Sequence, residues 1–207
     1  MHVLHYGRGT IALAAHIALE EAGAPYEAVA VDMKGGEQTG AAFRALNPKA
    51  RVPVLVTPAL ALTETPAILN YIARRLMPTL LPDAPEALAR VEELASYLAS
   101  TVHVAHAHRM RAPRWTDDRG ADEGLRAKVP ANMDEAASLI EARYLAPDRG
   151  GDWVMGEHYT VADPYLFAIA RWMPGDGVDM ARHPALTAHG EAMTRRPAVA
   201  RVLPLHE

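Results

Sequence analysis

Two short motifs set eleven residues apart offer groups suited to holding a peptide. Val52-Pro53 heads the apolar run Val54-Leu55-Val56. Proline has no amide hydrogen, so it belongs at a strand start or edge, and the sheet is expected to pair this strand on one side only. In the cis form the pair turns the Val52 N–H and C=O outward, where an extended peptide can join them as another strand would. A trans proline at an ordinary strand entry is the competing reading. Thr63-Glu64-Thr65-Pro66 opens a helix, and the first turn of a helix has unpaired N–H groups and a dipole that favours an anion. A ligand carboxylate can bind the Thr65 hydroxyl and N–H while Glu64 pairs with an ammonium. Plain capping, with Thr63 as N-cap and Glu64 complementing the dipole, is the alternative.

A second concentration of chemistry lies further on. His103, His106 and His108 stand near the end of a long helical stretch, and His103 and His106 share a face. That pair admits metal ligation, but no third ligand falls in register and no metal is expected. Histidines at a helix end also complement its dipole. Met110 and Trp115 can line an apolar pocket, although Trp115 serves equally as a loop anchor. Arg109, Arg111, Arg114 and Arg119 form a basic stretch, read either as a solvated helix end or as an attraction for an acidic substrate. Thr160 to Asp163 reads as a capping box, a structural device.

The elements that must position these groups follow from periodicity and breakers. Val3–Tyr6 reads as a strand, Gly7-Arg8-Gly9 as a turn, and Thr10 as the cap of a helix over residues 11–22 that Gly23 and Pro25 stop. A strand at 27–31, a short helix at 41–46, a hairpin through 52–62 and a helix at 64–77 complete a βαβαββα order. The first two strands are expected to pair in parallel. Pro78, Pro82 and Pro85 mark a linker. Beyond it no strand is expected. Helices are predicted over 86–111, over 131–145, after Thr160, over 184–195 and over 197–203, with a polar mobile segment between Pro113 and Pro130.

The 207 residues suffice for two small domains, taken as 1–77 and 86–207 around a linker at 78–85. With 21 basic and 25 acidic residues the formal charge is −4, which implies no broad surface for nucleic acid. The apolar stretch 11–19 is about half a membrane span, and the first residues lack the pattern of a signal peptide, so the expected location is the cytoplasm. The chain has no cysteine, which excludes disulfides, thiolate nucleophiles of its own and cysteine metal sites.

Val52-Pro53, Thr63-Glu64-Thr65-Pro66-Ala67-Ile68 and Asn47-Pro48-Lys49, followed in order by Tyr159-Thr160-Val161-Ala162-Asp163-Pro164-Tyr165, together resemble the cytosolic glutathione transferases. The pattern is most similar to the bacterial beta class, which shares the Tyr6, His16 and Val161-Ala162-Asp163 neighbourhoods. The resemblance implies a thioredoxin-like α/β N-terminal domain, an all-α C-terminal domain, a homodimer, and glutathione bound along Val52. It implies that Glu64 and Thr65 hold the γ-glutamyl end and that Lys34 reaches the glycine carboxylate. His103 matches the position of an active-site histidine facing the sulfur. Where beta-class relatives carry a cysteine this chain has Ile11, with Ala12 after it, so a mixed disulfide with glutathione is impossible.

Thr10 then remains to stabilise the glutathione thiolate, through its hydroxyl or its backbone and with help from the helix dipole. Arg8 in the same turn is an alternative, and Tyr6 is expected to be packed at the strand end. The implied activity is attack of glutathione on a small electrophile in detoxification, with His106, Met110 and Trp115 lining its pocket. Two other readings stay open. One is a glutathione-dependent lyase or isomerase for a particular metabolite; the other is a glutathione-binding or interaction protein without catalysis.

Overall fold

The computed structural model describes residues 1–207, with every side chain except that of Arg149. Its sheet has the strand order β2-β1-β3-β4, with β1 (His2–Tyr6), β2 (Tyr26–Ala30), β3 (Val54–Val56) and β4 (Ala61–Thr63). The crossover from β1 to β2 is α1 (Ala12–Ala22), an alanine- and leucine-rich segment that forms helix readily and ends at Gly23 in the left-handed conformation. β1 and β2 pair in parallel, and the other pairs are antiparallel. Alternation along β1 sorts the two faces of the sheet. Leu4 and Tyr6 join the core with α1 and α3 (Thr65–Leu76), whereas His5 meets Phe43 of α2 (Ala41–Leu46) edge-on.

One expectation is corrected here. β3 is not paired on one side only, because β1 and β4 flank it on either side. Val52 and Pro53 lie ahead of the ladder, whose pairing begins at Val54, since Pro53 has no N–H with which to extend it. The Val52–Pro53 peptide is cis.

A long helical rod follows. It consists of α4 (Pro85–Tyr97), a wider π-helical turn at Leu98–Val102, and α5 (His103–Arg111). Within that turn the His103 N–H bonds to the Leu98 carbonyl, five residues back. The extra residue shifts the phase of α5 relative to α4, a break that the apolar spacing did not reveal.

The polar segment expected to be mobile is largely helix. α6 (Arg119–Tyr144) starts eleven residues before Pro130 and runs through it. Asp118 caps its start, accepting from the Gly120 N–H at 2.8 Å, and Arg126 pairs with Asp122 one turn on. The Pro130 ring lies against Gly177, where even a Cβ would come within 3.2 Å of it.

α7 (Ala162–Ala170) is the buried central helix, followed by α8 (Pro184–Thr194) and α9 (Pro197–Val202). Asp163, fully buried, accepts from the Thr160 N–H at 2.7 Å as a capping box requires. It also takes the Val154 N–H at 2.8 Å and His189 Nε2 at 3.2 Å, so a single carboxylate pins a loop and a neighbouring helix to α7. One apolar core runs from the α1–α3 face of the sheet through α7 into the helical region. Among the described residues no helix is long and apolar enough to cross a membrane.

Candidate functional site

The first wall of the site is backbone. The Val52 N–H and C=O have no hydrogen-bond partner among the described residues. Asn47 holds the approach to them, its side-chain amide donating to the Arg51 carbonyl at 2.7 Å. Ala50 (φ 54°) and Glu64 (φ 70°) both adopt a positive φ that non-glycine residues rarely take. Such positions cost about 1–3 kcal/mol each and cluster where a ligand must be met.

Thr63 does not cap α3. It belongs to β4, and its hydroxyl accepts from Lys49 Nζ at 2.6 Å. The N-cap position is Glu64, whose side chain makes no capping bond. The Thr65 and Ala67 N–H groups accordingly find no acceptor among the described residues. The Glu64 carboxylate lies 2.5 Å from Lys49 Nζ, an exposed pair. Lys49 was legible as part of Asn47-Pro48-Lys49, but nothing in the sequence assigned it this contact.

The second element is the turn between β1 and α1. Gly7 is closely packed, since a Cβ there would sit 2.6 Å from the Met33 side chain. The loop that carries Lys34 therefore presses on this turn. Lys34 is exposed, and its N–H is held by Asp32 Oδ1 at 3.1 Å in a tight local turn. The Thr10 hydroxyl donates to the Gly7 carbonyl at 2.7 Å and accepts from the Ala12 N–H at 3.3 Å. Its proton is thus engaged, whereas the Thr10 and Ile11 N–H groups have no partner among the described residues.

The end of the chain braces this turn, which sequence reasoning missed. Gly9 N–H bonds to the His206 carbonyl at 2.9 Å, and exposed Arg8 donates to the Glu207 carbonyl at 3.3 Å. Tyr6 is buried at the strand end, with its ring 4.7 Å from that of His206. His206 Nε2 meets His16 Nδ1 at 3.0 Å in the core. Burial lowers His16 to about 4 and His206, with added repulsion from His16, to about 3, so both rings are neutral near pH 7.

The opposite wall consists of side chains. His103 and His106 are joined there by Trp172, which neither spacing nor motif indicated. Its ring stacks on His106 at 4.1 Å and tilts against His103 at 5.0 Å, while its Nε1 donates to the Gly9 carbonyl at 3.2 Å. His106 Nδ1 is bound to buried Asp176 at 2.7 Å, and Arg109 takes the second oxygen of that carboxylate at 3.0 Å. Burial first, then nearby cationic groups, lowers His103 to about 4, so it too is neutral near pH 7.

Met110 is exposed on the rod. Trp115 packs edge-on against His108, with centroids 4.5 Å apart. His108 follows His103 by five residues, about 140° around a helix. The structure thus groups Trp115 with His108, and groups His103 and His106 with Trp172.

The architecture and site belong to a thioredoxin-like domain joined to a helical region. The model of the glutathione S-transferase N-terminal domain matches residues 1–74. Glutathione S-transferase GST-4.5 of Xanthomonas campestris is 31% identical over 195 residues, 89% of each chain. A glutathione transferase homologue from Sulfitobacter, solved with bound glutathione, superposes with a TM-score of 0.94 at 42% identity, covering 99% of this chain and 98% of that one. A maleylpyruvate isomerase from Ralstonia is 28% identical over 209 residues, 99% of this chain and 97% of its own. The chain belongs to the glutathione S-transferase family.

Proposed function

We propose that the protein is a glutathione transferase that binds glutathione along Val52 and directs its thiolate at an electrophilic small molecule. The observation that carries this reading is the unpaired Val52 backbone beside the uncapped first turn of α3. Val52 pairs with the extended peptide. The Thr65 hydroxyl and N–H take the γ-glutamyl carboxylate, and Glu64 takes the ammonium in exchange for Lys49. Lys34 takes the glycine carboxylate.

The sulfur lies at the start of α1, where the Thr10 and Ile11 N–H groups and the helix dipole favour its anion. In this reading Thr10 acts through its backbone, and Arg8 is occupied by the chain end. The sulfur lone pair forms the new bond to carbon while the leaving group departs with its bonding pair. The rate gain comes from thiolate formation and positioning. Neutral His103 faces the reactants as a hydrogen-bonding group, with His106 and Trp172 as the packed floor behind it and Met110 at the rim.

The reading carries further expectations: a division of the chain at 78–85, a cytoplasmic location, a role in detoxification, and a homodimer. For the homodimer, a cleft of about 330 Å³ between α3 and α4, lined by Pro66, Asn70, Val91 and Ala95, offers a face for the second copy. Calorimetry with glutathione, paired with spectrophotometric conjugation of chlorodinitrobenzene, tests the proposal. Binding at millimolar concentration or tighter and catalysed conjugation are expected. Absence of binding would overturn it, and binding without conjugation would leave a glutathione-binding protein that lacks the chemistry.

A further inference from the structure

The turn that follows α7 holds the His106 ring from two directions. Trp172 covers one face, with ring centroids 4.1 Å apart and planes 16° from parallel. Asp176 takes the edge, its fully buried carboxylate 2.7 Å from Nδ1. The Asp176 N–H bonds to the Trp172 and Met173 carbonyls at 3.0 Å each, so one short piece of backbone sets both contacts. Arg109 Nη1 meets the other carboxylate oxygen at 3.0 Å. Gly175 makes way for that approach, since a Cβ there would come within 2.7 Å of the same nitrogen. Trp172 also reaches the facing wall, where its Nε1 donates to the Gly9 carbonyl at 3.2 Å. A single indole thus ties His106 to the turn that opens α1.

These contacts fix the place of a proton. A carboxylate only accepts, so Nδ1 carries the hydrogen and Nε2 keeps a lone pair. Nε2 has no partner among the described residues and is not sealed within the protein, and 16% of the side chain remains exposed. Arg109 already balances the charge of Asp176. When the ring takes a second proton at Nε2, the carboxylate behind it stabilises the imidazolium. His103 has no such acid behind it among the described residues, and burial lowers it to about 4. His106 is the histidine of this wall that is built to carry a proton.

We propose that His106, held by Asp176 and Trp172, carries the glutathione proton to an electrophile that adds the thiol without losing a group. This rests on the transferase reading above and adds the substrate class, an α,β-unsaturated carbonyl compound. Nε2 takes the thiol proton as the sulfur becomes the anion held at the start of α1. The sulfur lone pair forms the C–S bond at the β-carbon, and the C=C pair moves to the enolate. The imidazolium then returns its proton to that enolate, so every atom of both reactants ends in the adduct. Displacement of chloride makes no such demand, because the leaving group departs as an anion and the proton passes to water. Asp176 and Trp172 are positioning residues, the first for the tautomer and the second for the distance to the turn.

Two uncharged probes test the proposal with the intact protein at saturating glutathione: benzylideneacetone, which adds a thiol, and chlorodinitrobenzene, which exchanges chloride for it. His106→Gln should lower kcat for benzylideneacetone about 100-fold, the worth of a positioned proton carrier. It should lower kcat for chlorodinitrobenzene by less than about fivefold, and glutathione affinity, read by calorimetry, by less than about twofold. Asp176→Asn should lower the benzylideneacetone kcat by a similar factor, because an amide also admits the wrong tautomer. Asp176 is buried, so nitrogen-15 NMR of the His106 ring in the wild type gives a second readout that does not depend on that variant folding. Hydrogen on Nδ1 is expected, and hydrogen on Nε2 would overturn the proposal.

Equal losses on the two probes in His106→Gln would overturn it, as would no loss on benzylideneacetone. A matching loss of glutathione affinity would assign His106 to peptide binding and overturn it as well. So would a wild type that conjugates chlorodinitrobenzene and leaves benzylideneacetone untouched. Each of these results keeps the transferase reading, whereas failure to bind glutathione removes both.

Discussion

The two walls of the cleft are built on different principles. One presents main-chain groups: Val52 ahead of a central strand and the open N–H groups of α3. Its shape is set by the sheet ladder and by two backbones held at positive φ, and its few side chains are short or paired. The other presents His103, His106 and Trp172, placed by a helix rod with a π turn and by the segment that follows α7. A backbone wall recognises a constant peptide because replacing side chains leaves its donors and acceptors intact. A side-chain wall can be retuned one residue at a time, which suits the reactant that varies.

The comparison can be tested most severely with acid. His16, His206 and His103 sit below their ordinary value in the folded protein and regain it on unfolding, so the unfolded chain binds more protons between about pH 6.5 and 4. Stability is therefore full above pH 6.5 and falls as pH drops through that window. The slope reaches about 1.4 kcal/mol per pH unit for each histidine that titrates only on unfolding. Urea melts at pH 7.5 and 5.5 should show this, and His206→Phe should flatten it. A stability that does not change across this range would contradict the neutral histidine pair that braces the turn.

Glu64→Gln addresses the first wall directly. It should weaken glutathione by about 2 kcal/mol, roughly 30-fold, the worth of a charged hydrogen bond, with little change in Tm. Calorimetry gives the first quantity and thermal melts the second. Trp172→Leu addresses the second wall and should cost about 1–2 kcal/mol of stability through lost stacking and the lost bond to Gly9. Its KM for the electrophile should rise more than its KM for glutathione. Equal rises would mean that Trp172 serves both walls alike.

Smaller effects sharpen the division. Thr10→Ala should lower stability by about 1 kcal/mol, as loss of a cap does, while leaving the pKa of the bound thiol nearly unchanged. A large rise in that pKa would give the hydroxyl the role assigned here to the backbone. Lys49→Met should change stability by less than about 1 kcal/mol, because its pair with Glu64 is exposed.

How much of this could be read in advance follows the same division. Val52-Pro53 and Thr65 were legible because proline and a helix start impose local geometry that a short segment declares. The βαβαββα order was legible for the same reason, in the punctuation of Gly23, Pro25 and Pro58. Trp172, Asp176 and His206 were not, since each meets its partners across 70 to 190 residues of chain. The course of α6 through Pro130 depended on the complementary hollow at Gly177, and no local rule announces one. Arg109, read with Arg111, Arg114 and Arg119 as one basic stretch, is held instead by Asp176, 67 residues further along the chain, a partner that no local pattern announces.

The central claim is that a protein without cysteine activates the thiol of a bound peptide at the start of α1. The most direct test is a pH titration of the ultraviolet thiolate absorbance of glutathione bound to the protein. The account predicts an apparent pKa at least about one unit below the value near 8.5 of an ordinary free thiol, in the wild type and in Thr10→Ala alike. A bound thiol that titrates no lower than free glutathione would contradict it.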